Sequence, residues 1–149
     1  MDGILSADSR AEKYAINFEK RIHDIYAISH QHVMASQAPV LLRWLKDHEP
    51  ENYRQIGAVL SNKDFIRFLL TGEVCQEVGD ASGNHLLNLE TADYDPQILA
   101  FFGIPEMANN LPQLIQATDQ CGVISAEAAE VTGIQAGTPV FGGMFDIDA

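Results

Sequence analysis

The side chains that could do chemistry sit unevenly along this chain of 149 residues. Toward one end, Pro139-Val140-Phe141-Gly142-Gly143-Met144-Phe145 forms an apolar run that closes on Asp146. A carboxylate fixed at the tip of a rigid element meets what general-base catalysis asks, which is hydrogen-bond reach to the proton it removes. A solvated carboxylate near a chain end is the other reading these residues leave open. Gly142-Gly143 permits close ligand approach or tight packing at a strand end, and packing is the preferred reading. Toward the other end, Asp8 and Arg10 suit a helix N-cap and a structural ion pair better than a ligand contact.

Other constellations are weaker. His30-Gln31-His32 has no third ligand at a standard spacing and reads as solvated loop histidines. His85 beside Leu86 reads as a packing residue. Asp80-Ala81-Ser82-Gly83 has the composition of a phosphate loop but follows no clear strand, so it reads as a structural loop. Cys75 and Cys121 are far apart in sequence, which argues against a disulfide framework or a thiolate metal site. No Ser-His-Asp or Cys-His arrangement can be argued.

These residues need elements to hold them. Ala11, Tyr14, Ala15, Phe18, Ile22 and Ile25 recur at spacings of three and four, predicting a helix over 9–27 with Asp8 as its cap. A polar loop, Ser29 to Gln37, follows. Pro39 opens a helix over 39–48 that carries Val40, Leu41, Trp44 and Leu45 on one side, with Trp44 in the core. Pro50 stops it, and a brief helical turn near Glu51–Gln55 leads to Ala58-Val59-Leu60, a candidate strand. Ser61 caps a helix over 62–71, with Asp64 in its first turn and Gly72 as its left-handed end. Residues 73–94 read as irregular, anchored by Leu86, Leu87 and Leu89. Asp95-Pro96 starts a helix over 95–102. Residues 104–121 read as loop with one turn, and Ser125 caps a helix over 125–132 closed by Gly133. The final apolar run shows little alternation, as a strand buried on both faces would, although an edge strand of a small helical domain fits equally.

The totals bound the class. Hydrophobic residues make up 46% and charged residues 20%, ordinary for a globular domain and too apolar for disorder. The net charge of -12 disfavours nucleic acid and, mildly, an anionic membrane surface, but not ATP, which needs only a few local amides and a metal. No apolar run is long enough for a membrane helix, and the first residues lack a signal-peptide pattern, so the expectation is cytoplasmic.

Several stretches, in order, resemble the first domain of the FGGY carbohydrate kinases. Gly3-Ile4-Leu5-Ser6-Ala7-Asp8-Ser9-Arg10 is similar to the family's Ile-Leu-Trp-x-Asp-x-Arg. The run from Ala38 to Pro50, with Leu41-Leu42-Arg43-Trp44-Leu45, resembles its Lys-Leu-x-Trp-Leu helix and Glu-Pro stop. Asn62-Lys63-Asp64-Phe65 through Leu70-Thr71-Gly72 resembles Pro-Lys-Asp-Tyr-Leu-x-x-x-Leu-Thr-Gly. Asp80-Ala81-Ser82-Gly83, Tyr94-Asp95 and Leu111-Pro112 follow in family order. Gly137-Thr138-Pro139-Val140-Phe141-Gly142-Gly143 and Asp146 resemble Thr-Pro-Val-x-x-Gly-Gly-x-Asp. Among the branches, L-xylulose kinases look nearest, then D-xylulose kinases.

The resemblance implies a helix-rich α/β fold, part of a ribonuclease H-like (actin-like ATPase) domain with a helical insertion. It implies that residues 1–149 are a partial N-terminal, sugar-binding domain, an interior fragment inactive alone, of an enzyme that moves the γ-phosphate of MgATP to a ketopentose hydroxyl. Asp146 is then the catalytic base, with Ser6 and Asp8 as substrate-binding positions. ATP and Mg belong to the parent protein, and the missing C-terminal domain is the partner along with the sugar; homodimers are common in the family. The departures are Ser6 where the family often has Trp, Leu41 or a neighbour where it has Lys, and Ile147-Asp148-Ala149 where a small-residue helix is usual. The Asp-x-Gly-Thr phosphate hairpin and the nucleotide-binding domain are absent. The alternative is a helical, non-catalytic interaction module derived from such a domain.

Overall fold

The computed structural model describes residue 4 and residues 7–145. Its elements run α1 (Glu12–Glu19), a 3-10 turn (Ile22–Asp24), α2 (Tyr26–Ser29), α3 (Ala38–His48), α4 (Pro50–Arg54), α5 (Asn62–Thr71), β1 (Cys75–Glu77) and α6 (Val78–Gly83). Then come β2 (Leu87–Asn88), β3 (Asp93–Tyr94), α7 (Pro96–Phe101), a 3-10 stretch (Pro105–Asn110), β4 (Gln113–Ile115), β5 (Gln120–Val123), α8 (Ala126–Thr132) and β6 (Pro139–Phe141). The expected helix-rich α/β class is what forms. The chain divides into two units, Met1–Gly57 with Ser82–Asn110, and Ala58–Ala81 with Leu111–Ala149.

The first unit is helical around an apolar core. Pro39 sits in the first turn of α3, where its missing N–H costs nothing, and Lys46 and His48 face the negative end of the helix dipole. Val40, Leu41, Leu42 and Leu45 are buried from α3, and Leu86, Leu87, Ile98, Leu99, Phe102 and Ile104 complete the core. Phe102 takes the rings of Phe18 and Phe101 edge-on at 4.9 Å each, a favoured aromatic geometry. Asp95 caps α7 by accepting from the Gln97 N–H at 2.8 Å.

Three expectations fail in this unit. The single helix over 9–27 breaks into α1, the 3-10 turn and α2, because Arg21 and Ile25 leave helical torsions. The apolar spacing survived the break, with Ala11, Ala15 and Ile25 all buried. Asp8 is not the cap, which is Ala11. Trp44 is half-buried rather than in the core: its indole stacks on His48 at 4.6 Å, and the Arg10 guanidinium lies 5.0 Å from the ring.

The second unit carries α5 and α8 with two small strand pairs. β1 pairs parallel to β4 with Cys75 opposite Gln113, and β6 pairs antiparallel to β5 with Phe141 opposite Gln120. Ser125 caps α8 through the Ala128 N–H at 3.0 Å, and Gly72 and Gly133 end α5 and α8 in left-handed torsions. Here too the reading needs correction. Ala58-Val59-Leu60 forms no strand, and residues expected to be irregular form β1 and α6. The Asp80–Gly83 segment is helical, not loop. Of the two readings left open for the final strand, burial on both faces does not hold: Phe141 is 52% exposed and the one described neighbour of β6 is β5.

Candidate active-site scaffold

α5 buries charge instead of hydrocarbon. Asp64 and Arg67 are its buried residues, while Phe65, Ile66 and Leu69 are about half exposed. Arg67 Nη2 lies 2.8 Å from Asp64 Oδ1 and donates to the Cys75 carbonyl at 2.8 Å, while Nη1 donates to the Gly142 carbonyl at 2.7 Å. Asp64 Oδ1 also accepts from the Glu77 N–H. Asp64 does lie in the first turn of α5, as the sequence suggested, and its carboxylate also bonds Arg67 and the Glu77 N–H. Burial pushes its carboxyl up to about 6, the pull of Arg67 notwithstanding.

One turn earlier, Lys63 Nζ gathers Glu77 Oε2 at 3.0 Å, Asp80 Oδ2 at 2.9 Å and the Gly143 carbonyl at 3.0 Å. Burial draws the ammonium pKa down, but Asp80 and Glu77 outweigh it and the net shift is upward. Burial likewise raises Glu77, yet the Gly79 and Asp80 N–H groups and Lys63 hold it below its usual range. The buried strand β1 can therefore carry Gln76 and Glu77, whose polar atoms find partners in α5, Ser61 and α6.

The two cations take the carbonyls of Gly142 and Gly143, and main-chain carbonyls take their N–H groups. Gly142 donates to the Asp119 carbonyl at 3.0 Å and accepts from Arg67; Gly143 donates to the Ala117 carbonyl at 2.9 Å and accepts from Lys63. Glycine is required at both. A Cβ at 142 would collide with the Gln116 carbonyl, and Gly143 has φ +73°, in the left-handed region. Close packing, as expected, explains Gly142. Sequence reasoning assigned no role to Lys63, Arg67 or Glu77. The available signal was the i, i+4 spacing of Lys63 and Arg67 around Asp64, on a helix whose other side is Phe and Leu.

Of the residues nominated from sequence, Ser6 and Asp146 lie outside the described residues. Asp8 belongs to the first unit and is committed to Arg10: its Oδ1 accepts from the Arg10 N–H at 2.8 Å, and Oδ2 pairs with the guanidinium at 2.8 Å. Those bonds hold its carboxyl below the usual range. His30 and His32 are exposed, with His32 Nδ1 2.6 Å from Glu19 Oε1. Among the described residues no group of three or more His, Cys, Asp and Glu is arranged to hold a metal. Nor is any of their helices long and apolar enough to cross a membrane.

Residues 1–149 match the N-terminal domain of the FGGY family of carbohydrate kinases, and the chain belongs to that family. It is 38% identical over 148 residues to an L-xylulose/3-keto-L-gulonate kinase of Escherichia coli, covering 98% of this chain and 30% of that protein. A probable L-xylulose kinase of Pasteurella multocida is 37% identical, with 97% and 30% covered. A ligand-bound xylulose kinase from Lactobacillus acidophilus superposes with a TM-score of 0.85 at 26% identity, over 97% of this chain and 29% of that one. The chain thus spans about 30% of the length of the curated relatives it matches. Its fold is the corresponding part of the actin-like sugar kinases.

Proposed function

We propose that this chain is the sugar-side portion of an ATP-dependent kinase acting on a ketopentose of the L-xylulose or D-xylulose type, with Asp146 as the general base. The observation that carries the reading is the 38% identity to an L-xylulose/3-keto-L-gulonate kinase across almost the whole chain. In this reading Asp146 takes the proton of the attacking sugar hydroxyl as its oxygen bonds to the γ-phosphorus and ADP leaves. Ser6 and Asp8 are the substrate-binding positions by sequence correspondence; the Asp8–Arg10 pair supports a structural role for Asp8 first.

MgATP, when bound, supplies the transferred phosphoryl group and the charge neutralisation it needs. The chain spans about 30% of the relatives' length, and this reading assigns the MgATP site to the remaining length of the parent protein and takes the 149 residues alone as non-catalytic. The test is Asp146→Asn in the full-length protein with L-xylulose and MgATP, the fold checked by circular dichroism. Turnover should fall by about 10²–10⁴-fold; turnover near wild type removes the base assignment. ATP consumption by the isolated chain with any ketose would overturn the non-catalytic reading.

A further inference from the structure

We infer that Lys63 and Arg67 are positioning residues for phosphoryl transfer, acting through the Gly142-Gly143 backbone; the inference rests on reading Asp146 as the base. β6 ends at Phe141, and beyond it the N–H groups of Gly142 and Gly143 are held by the Asp119 and Ala117 carbonyls. Two consecutive glycines are the most pliable backbone a chain can have, and only Met144 and Phe145 separate them from Asp146 in sequence. Their two carbonyls are fixed by two cations of one helix, Arg67 at 2.7 Å and Lys63 at 3.0 Å.

The anchors are themselves immobilised. Arg67 is forked between Gly142 and Cys75 with Asp64 against it, and its side chain is 4% exposed. Lys63, itself 27% exposed, is clamped between the carboxylates of Glu77 and Asp80, which are each 7% exposed. Ion pairs this buried add little net stability compared with apolar packing. What the arrangement does provide is directional: it fixes two main-chain oxygens relative to α5 and β1. Reacting geometry is sensitive to displacements of about 1 Å, which can cost about 10²-fold in rate. A second shell that locks the backbone ahead of a catalytic carboxylate guards against that.

The experiment uses the full-length protein and compares Lys63→Met, Lys63→Arg, Ser125→Ala and Asp146→Asn by steady-state kinetics and thermal melts. Lys63→Met should lower kcat by about 10–100-fold with KM for sugar and ATP within about twofold. Lys63→Arg, which still reaches the Gly143 carbonyl, should recover kcat to within about fivefold of wild type. Ser125→Ala removes a helix cap elsewhere in the same unit and controls for instability: its melting point drops while kcat holds. If Lys63→Met fails to fold, Arg67→Lys takes its place, keeping charge opposite Asp64 but unable to span both carbonyls, and the same loss in kcat is expected. Wild-type kcat in the anchor variant, or a kcat loss that Ser125→Ala shares at equal melting point, overturns the inference. A silent Asp146→Asn instead removes the base assignment, which distinguishes the two failures.

Discussion

Arg67→Met removes a guanidinium that serves the Gly142 and Cys75 carbonyls, the Cys75 sulfur and the Asp64 carboxylate together. Methionine fills much of the same volume, so the cost is electrostatic more than steric. Removing one partner of a buried pair typically costs about 3–5 kcal/mol, because the other charge is left uncompensated. Each orphaned carbonyl adds about 1–3 kcal/mol where water cannot reach it. These terms overlap, since Asp64 can escape part of the first by taking up a proton, and about 4 kcal/mol is the working figure at pH 8. For a chain of this size that corresponds to a fall in melting temperature of about 8–16 °C.

The pH dependence makes the test specific. The folded Asp64 carboxyl is raised to about 6 by burial, against about 3.9 in an unfolded chain. A carboxyl raised on folding favours the folded state below the unfolded value, and that contribution disappears as pH rises through about 6. Without Arg67 the folded value climbs further, so the variant's deficit should be smallest near pH 5, where Asp64 is mostly neutral in both proteins, and largest near pH 8. Thermal unfolding of the 149-residue chain, followed by far-ultraviolet circular dichroism at both pH values, reads the difference directly. A deficit under about 1 kcal/mol at pH 8, or one equal at both pH values, would refute the buried-pair argument.

Two further outcomes are expected. His85 is wholly buried beside Phe102, its Nε2 without a hydrogen-bond partner among the described residues, and burial lowers its pKa to about 4 while Glu19 opposes the shift. With an unfolded value of about 6.5, the stability it contributes is complete above that value and lost as pH falls toward 4, by up to about 1.4 kcal/mol per pH unit. His85→Asn, which tolerates the left-handed backbone at φ 59°, should flatten that slope in acid-titrated melts; an unchanged slope assigns it elsewhere. Ser125→Ala should cost about 1 kcal/mol by denaturant titration, since its hydroxyl satisfies the Ala128 N–H; a change within error would show that the α8 end is satisfied by other means.

The parts of the fold legible in sequence are those written locally. Pro39, Asp95, Ser125, Gly72 and Gly133 each act within one turn of their own position, and α3, α5, α7 and α8 lie within about two residues of where they were expected. The break at Arg21–Ile25 was hidden because a kinked run can keep its apolar spacing. β1 was hidden for the opposite reason: Cys75-Gln76-Glu77 has no strand-like composition, and its burial depends on Lys63, Asp64 and Ser61, more than ten residues away. Strands of two to four residues also leave too few positions for alternation to show.

The same division between local and distant signals runs through the candidate site. The Gly142-Gly143 pair announces a backbone with unusual needs, and packing could be inferred for it. Which groups meet those needs could not, because Arg67 is 75 residues from Gly142 and Lys63 is 80 from Gly143. α5 is the telling case. Read as an amphipathic helix, it should bury Phe65, Ile66 and Leu69; in the described chain it buries Asp64 and Arg67 instead. A helix gives up apolar burial for buried charge only where that charge has work to satisfy, and here the partners are two glycine carbonyls, β1 and the start of α6. The charged face of α5 is therefore explained by the backbone it secures, while Phe65, Ile66 and Leu69 stay about half exposed.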